Sequence, residues 1–184
     1  MAGLRLKTVS AAAAIASMAL WQGCNSEGCA DNHSALPLMG LYSAVSQEAI
    51  TLDSIAVGGV GAPADSLLVA PGEAVQQVYL PFRYGTDHTS FFIHYDYPGQ
   101  GIASPALNDT VTFRYTAQPF FASEECGAMF CYRVTAVEHT RHILEYVEIT
   151  DSMVTNVERE RFRLYLRTTT DLQSLSAARR GLKP

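Results

Sequence analysis

Basic residues are scarce in most of this sequence, and no apolar run in it is long. The 184 residues carry 13 Lys and Arg against 18 Asp and Glu. Seven of the basic residues fall between Arg159 and Pro184, so residues 24–158 hold four basic residues against 16 acids. An acidic body lacks the basic footprint that nucleic acid requires, which excludes non-specific nucleic-acid binding. The longest apolar stretch, Val9 to Leu20, is about a dozen residues, and a spanning helix needs ~20. Named catalytic motifs are absent too. There is no Gly-x-Ser-x-Gly elbow and no His-Glu-x-x-His, and the stretch from Gly58 to Gly61 has no Lys-Ser/Thr to make a phosphate loop. Cysteine is limited to four residues and tryptophan to one. Neither a catalytic residue nor a resident cofactor or metal is therefore expected.

The amino terminus is distinctive. Arg5 and Lys7 precede the apolar run, no acid occurs before Cys24, and Trp21-Gln-Gly-Cys24 follows. A charged start, a short apolar core and a small residue before a cut are the parts of a secretory signal. Gly23-Cys24 fits the lipoprotein form of that signal, in which the cysteine becomes the lipidated first residue. Acyl chains such as palmitate then tether the domain, each buried CH₂ contributing ~0.8 kcal/mol. Trp21 and Gln22 depart from the usual pattern, and an ordinary secretory cut is the alternative. Asn25 after Cys24 gives no inner-membrane retention signal, so the expected location is the outer membrane, facing the periplasm or the cell surface. Four segments follow: a signal peptide at 1–23, a polar tether at 24–34, a β domain at 35–168 and a basic tail at 169–184 that is expected to be disordered.

With Cys24 lipidated, Cys29, Cys126 and Cys131 remain, and an oxidising compartment favours a disulfide. Three thiols allow three pairings. Cys29 with Cys126 closes a long loop, worth ~4–5 kcal/mol in the chain-entropy model, while Cys126 with Cys131 closes a small ring and gains less. The five histidines form no complete ligand set. His94 and Asp96 share a strand face, and His139-Thr-Arg-His142 occupies a connection. Glu124-Glu125 offers adjacent carboxylates but no Asp-rich calcium loop.

After the tether, β-type runs recur between turn residues: Ala35–Val45, Asp53–Val57, Ser66–Ala70, Val75–Tyr84, His88–Tyr97, Asp109–Ala117, Met129–Val137, Ile143–Ile149 and Arg161–Arg167. Three alternate clearly. Val111, Phe113 and Tyr115 point inward, as do Phe130, Tyr132, Val134 and Ala136. Phe162, Leu164 and Leu166 also point inward, which leaves a row of arginines in water. The expected fold is all-β, an antiparallel sandwich, immunoglobulin-like or similar, of eight to nine strands. Aromatic residues from Tyr79 to Phe121 are dense. Alternation buries about half, and the outward half could present a patch to a glycan or a protein.

Taken in order, the signal, Cys29, Asp53-Ser-Ile55, Leu80-Pro-Phe82, Thr89-Ser-Phe91 and Ser123-Glu-Glu-Cys-Gly127 resemble a group of uncharacterised small lipoproteins of Bacteroidota, over residues 29 to 168. The resemblance implies an all-β, membrane-tethered domain and pairing of Cys29 with Cys126; Cys131 lies outside its pattern. It transfers no activity. The expected function is binding or assembly with an envelope protein or a glycan, not catalysis. The alternative is a metal-dependent or loop-based envelope enzyme around His88, His94 and Asp96.

Overall fold

The computed structural model describes residues 35–95, 105–123 and 127–167, all within the unit Asn32–Pro184. Cys24, Cys29, Cys126, Asp96, the signal, the tether and the basic tail lie outside the described residues. Among the described residues ten strands form two sheets. The first has four strands in the order β4 (Gln77–Tyr79), β1 (Leu38–Ser43), β10 (Glu160–Leu166) and β8 (Leu144–Ile149). The second has six, in the order β3 (Leu67–Val69), β2 (Ile55–Gly59), β5 (His88–Tyr95), β6 (Asp109–Ser123), β7 (Gly127–His139) and β9 (Met153–Val154). No helix among the described residues is long and apolar enough to cross a membrane.

The apolar faces of the two sheets meet in one core, as the period-two pattern requires. Met39, Leu41, Leu144, Phe162, Leu164 and Leu166 come from the first sheet, and Ile55, Val57, Ile93, Val111, Phe113 and Val134 from the second. Phe113 and Phe162 touch across the layers at 4.5 Å between ring centroids. Phe82, on the connection after β4, stacks on Tyr115 at 4.6 Å and meets Tyr132 edge-on. Such ring pairs add ~0.5–1.5 kcal/mol beyond their buried area. The all-β sandwich expected from the sequence is therefore present.

Its details differ in four places. Every pairing is antiparallel except that of β1 with β10. Parallel neighbours cannot be joined by a tight turn; here the whole intervening domain is the crossover. Strand β2 does not break at Gly58. That residue faces Phe92 of β5, and a Cβ there would approach the Phe92 ring to 2.5 Å. Strands β6 and β7 run on past Ala117 as a paired hairpin arm to Ser123 and Gly127. Within that pair the register slips between Arg114 and Tyr115, so Val137 stands opposite Phe113 and packs on the core, while Ala136 stands opposite Arg114. One extra residue reverses the facing of all that follows it.

Candidate functional site

The outward side chains of the first sheet are where the sequence expectation of solvated arginines fails. Arg161 is 3 % exposed. It pairs with Asp151 and donates to the Thr155 hydroxyl at 3.2 Å and the Val157 carbonyl at 3.0 Å. Arg163 is half-buried within a network that spans three strands. Its Nε donates to Glu160 Oε1 at 2.6 Å, and its Nη1 lies 3.6 Å from Glu148. Its guanidinium also sits over the Tyr42 ring, 5.1 Å from the centroid. The Tyr42 hydroxyl donates to Glu160 at 2.9 Å, and Gln77 Nε2 donates to the same carboxylate at 3.3 Å.

Register explains why these groups meet. Gly40 of β1 pairs with Arg163 of β10, which pairs with Glu148 of β8; Tyr42, Tyr165 and Tyr146 form the next row. Tyr146 stacks on Tyr165 at 4.3 Å, and Tyr165 meets Tyr42 at 5.4 Å. The Tyr165 hydroxyl donates to Glu148 at 2.9 Å and that of Tyr146 to Gln47 at 2.7 Å. Gly40 is the opening that lets this assemble, because a Cβ there would collide with the Glu160 carboxylate and the Tyr42 ring. Burial and the Glu160 hydrogen bond hold the Tyr42 hydroxyl above its ordinary pKa. Burial and Glu148 do the same at Tyr165, and Glu160 holds Arg163 firmly protonated. The face thus offers protonated hydroxyls, ring surfaces and a paired guanidinium–carboxylate system.

A second polar cluster is internal. Asp109, at the start of β6, has no exposed surface. Its carboxylate accepts from the backbone N–H groups of His142, Ile143 and Leu144 at 2.7–2.8 Å. The Thr140 hydroxyl donates at 2.6 Å and the Tyr95 hydroxyl at 3.1 Å. Burial alone pushes this carboxyl up; the His142 N–H, the Thr140 hydroxyl and the Leu144 and Ile143 N–H groups outweigh it, and the pKa lies below the ordinary value. This cluster fastens the β7–β8 corner and leaves no lone pair for a ligand. Nothing in the sequence near Asp109 marks it, because its partners lie 31 to 35 residues on.

The histidines singled out from the sequence do not converge. His88 pairs with Asp87 at 2.7 Å, and His94 accepts from Asn108 at 2.7 Å. The two sit six residues apart on β5, roughly 20 Å along the strand. His139 donates to the Thr140 carbonyl, and His142 lies 3.3 Å from Asp109. Among the described residues no group of three His, Cys, Asp or Glu side chains is placed to hold a metal ion. Cys131 is a free, half-buried thiol on β7.

The outward aromatics form no single patch either. Tyr79 lies on the first sheet's outer face, and Tyr84 stacks on Phe130 at 5.2 Å. Phe120 and Phe121 project from the hairpin arm. The tyrosine row that does assemble includes Tyr146 and Tyr165, which lie outside the aromatic-dense stretch. A family model, described as a family of unknown function (DUF6452), matches residues 54–166, from the approach to β2 through the end of β10. Neither a curated protein nor a solved structure matches the chain.

Proposed function

This chain belongs to the DUF6452 family, a family of unknown function, and we propose that it acts by binding, as a lipid-anchored envelope protein tethered through Cys24 to the outer membrane. Its partner is another envelope protein, and the outer face of the first sheet is the surface that engages it. The observation that carries this reading is the Tyr42–Tyr165–Tyr146 row beside the Arg163–Glu160 pair. Tyr and Arg are the residue types that dominate the energetic centres of protein interfaces. Here their side chains are already fixed by hydrogen bonds, so little rotamer freedom remains to be lost on binding. The face is a sheet surface, not a cleft, which suits a broad partner better than a small molecule. The anchor rests on the sequence before and at Cys24, and the assignment to Bacteroidota lipoproteins rests on the ordered motifs from Cys29 to Gly127.

Two experiments test the reading. Cys24→Ser is expected to move the protein from the membrane fraction to the soluble one; unchanged membrane association refutes the tether. A photo-crosslinker placed at Tyr146 in cells is expected to trap a protein adduct that one placed at Phe121 does not. Equal adducts at both positions, or binding to isolated envelope glycans and no protein adduct, overturn the assigned face or partner.

A further inference from the structure

A cavity of about 280 Å³ opens at one end of the sandwich, between the β2–β3 connection and the segment that leads into β5. Its walls are apolar: Pro63, Leu68, Pro81, Phe82 and Phe91. Its polar groups come from Ser66, Thr89 and Arg83. Arg83 is the unusual member. Its Nη2 donates to the Val60 carbonyl at 3.1 Å, which holds the guanidinium at the cavity, yet among the described residues no carboxylate pairs with it. By contrast Arg114, Arg159, Arg161, Arg163 and Arg167 each have an acidic partner.

The root of that side chain is also fixed. The Arg83 N–H donates to Thr89 Oγ1 and to the Tyr115 hydroxyl, both at 3.1 Å, and its carbonyl accepts from the Tyr115 hydroxyl at 2.7 Å. Thr89 and Tyr115 are themselves buried and joined at 2.6 Å. A cation held at both ends beside an apolar cavity is pre-organised for an anion that carries an apolar tail. A guanidinium presents a planar fork that matches a carboxylate. At roughly the volume share of a water molecule per heavy atom, ~30 Å³, the cavity takes a chain of about eight or nine carbons.

We propose that this cavity binds an unbranched aliphatic monocarboxylate, a medium-chain fatty acid, with its tail between Leu68 and Phe91 and its carboxylate on Arg83. The site lies on a different part of the molecule from the tyrosine face, and its test is independent of that reading.

The probes are octanoate and octan-1-ol, titrated by calorimetry into the full chain in detergent-free buffer. Octanoate is expected to bind about tenfold more tightly than the alcohol, the contribution of one charge-assisted pair at a partly exposed site. Arg83→Gln is expected to bring octanoate down to the level of the alcohol, and Arg83→Lys to restore part of the difference. Ala62→Phe, which fills the cavity from its wall, is expected to abolish binding of both probes. Thermal melts of each variant, unchanged from the parent, confirm that the fold persists. No octanoate binding to the parent chain, equal affinity for acid and alcohol, or binding that survives Ala62→Phe overturns the proposal.

Discussion

Asp109 and Glu160 are both hubs of hydrogen-bond clusters, but their partners differ in kind. Asp109 is met by three backbone N–H groups and two hydroxyls in a site closed to solvent. Glu160 is met by the ends of long side chains, Tyr42, Gln77 and Arg163, on a half-open face. Backbone donors cannot turn away, so the first cluster is part of the fold. Side-chain donors can rotate, so the second keeps its groups in place and can still exchange one of them for a partner's. The difference separates a structural anion from one at a recognition surface, although both look equally polar in composition.

The sharpest way to break this contrast is Asp109→Ala. It leaves three buried N–H groups without acceptors, each costing ~1–3 kcal/mol. A stability loss of about 4 kcal/mol is expected by denaturant unfolding, and a loss under ~1 kcal/mol means the corner finds other partners or opens to water. Next is the acid limb. The folded-state pKa of Asp109 lies below its unfolded value of ~3.9, so its contribution is complete above that value and is lost as pH falls through the folded one. Asp109→Asn is expected to lower the melting temperature at pH 7 and to flatten its decline between about pH 5 and pH 2. Asp151 is also held low, first by the Met153 N–H, so some acid sensitivity persists in the variant. An unchanged slope places the acid-sensitive group elsewhere.

The two clusters also differ in how far the sequence discloses them. The inner faces are legible because apolar and polar residues alternate: Val111, Phe113 and Tyr115 are buried, as are Phe162, Leu164 and Leu166. Alternation distinguishes inward from outward but says nothing of how outward side chains pack on one another, so Arg161 and Arg163 read as solvated. The tyrosine row requires the parallel pairing of β1 with β10, the first and last described strands, and no local pattern encodes a neighbour more than a hundred residues away. The reversal at Val137 comes from a bulge, and β9 has two residues, too few for any period to show. Asp109 has the composition of an ordinary strand start. Its importance lies in the β7–β8 corner that folds back onto it.

On the outer face the expected effects are smaller. Glu160→Gln keeps the shape and removes the charge. Arg163 still has Glu148 at 3.6 Å, so a loss of about 1 kcal/mol is expected, reduced further by salt. A loss as large as that of Asp109→Ala makes Glu160 a second structural anion and ends the contrast.

The smallest stability effect is expected for Gly40→Ala, and it is the most discriminating. The new methyl group meets the Glu160 carboxylate and the Tyr42 ring, which are mobile ends of side chains and not backbone. Both can swing aside, so unfolding is expected to change by well under ~1 kcal/mol, within the range of ordinary surface substitutions. The network itself cannot survive that movement: Tyr42 leaves Glu160, and Arg163 loses the ring beneath it. The proton resonances of the Tyr42 ring should therefore shift while those of Phe113 and Phe162 in the core do not, and the crosslink at Tyr146 should weaken. Coupled shifts in core and face would mean that the outer network is built into the fold as firmly as the Asp109 corner. A shift confined to the face, with the crosslink unaffected, would separate the Glu160 network from partner binding and leave the tyrosine rings alone as its basis.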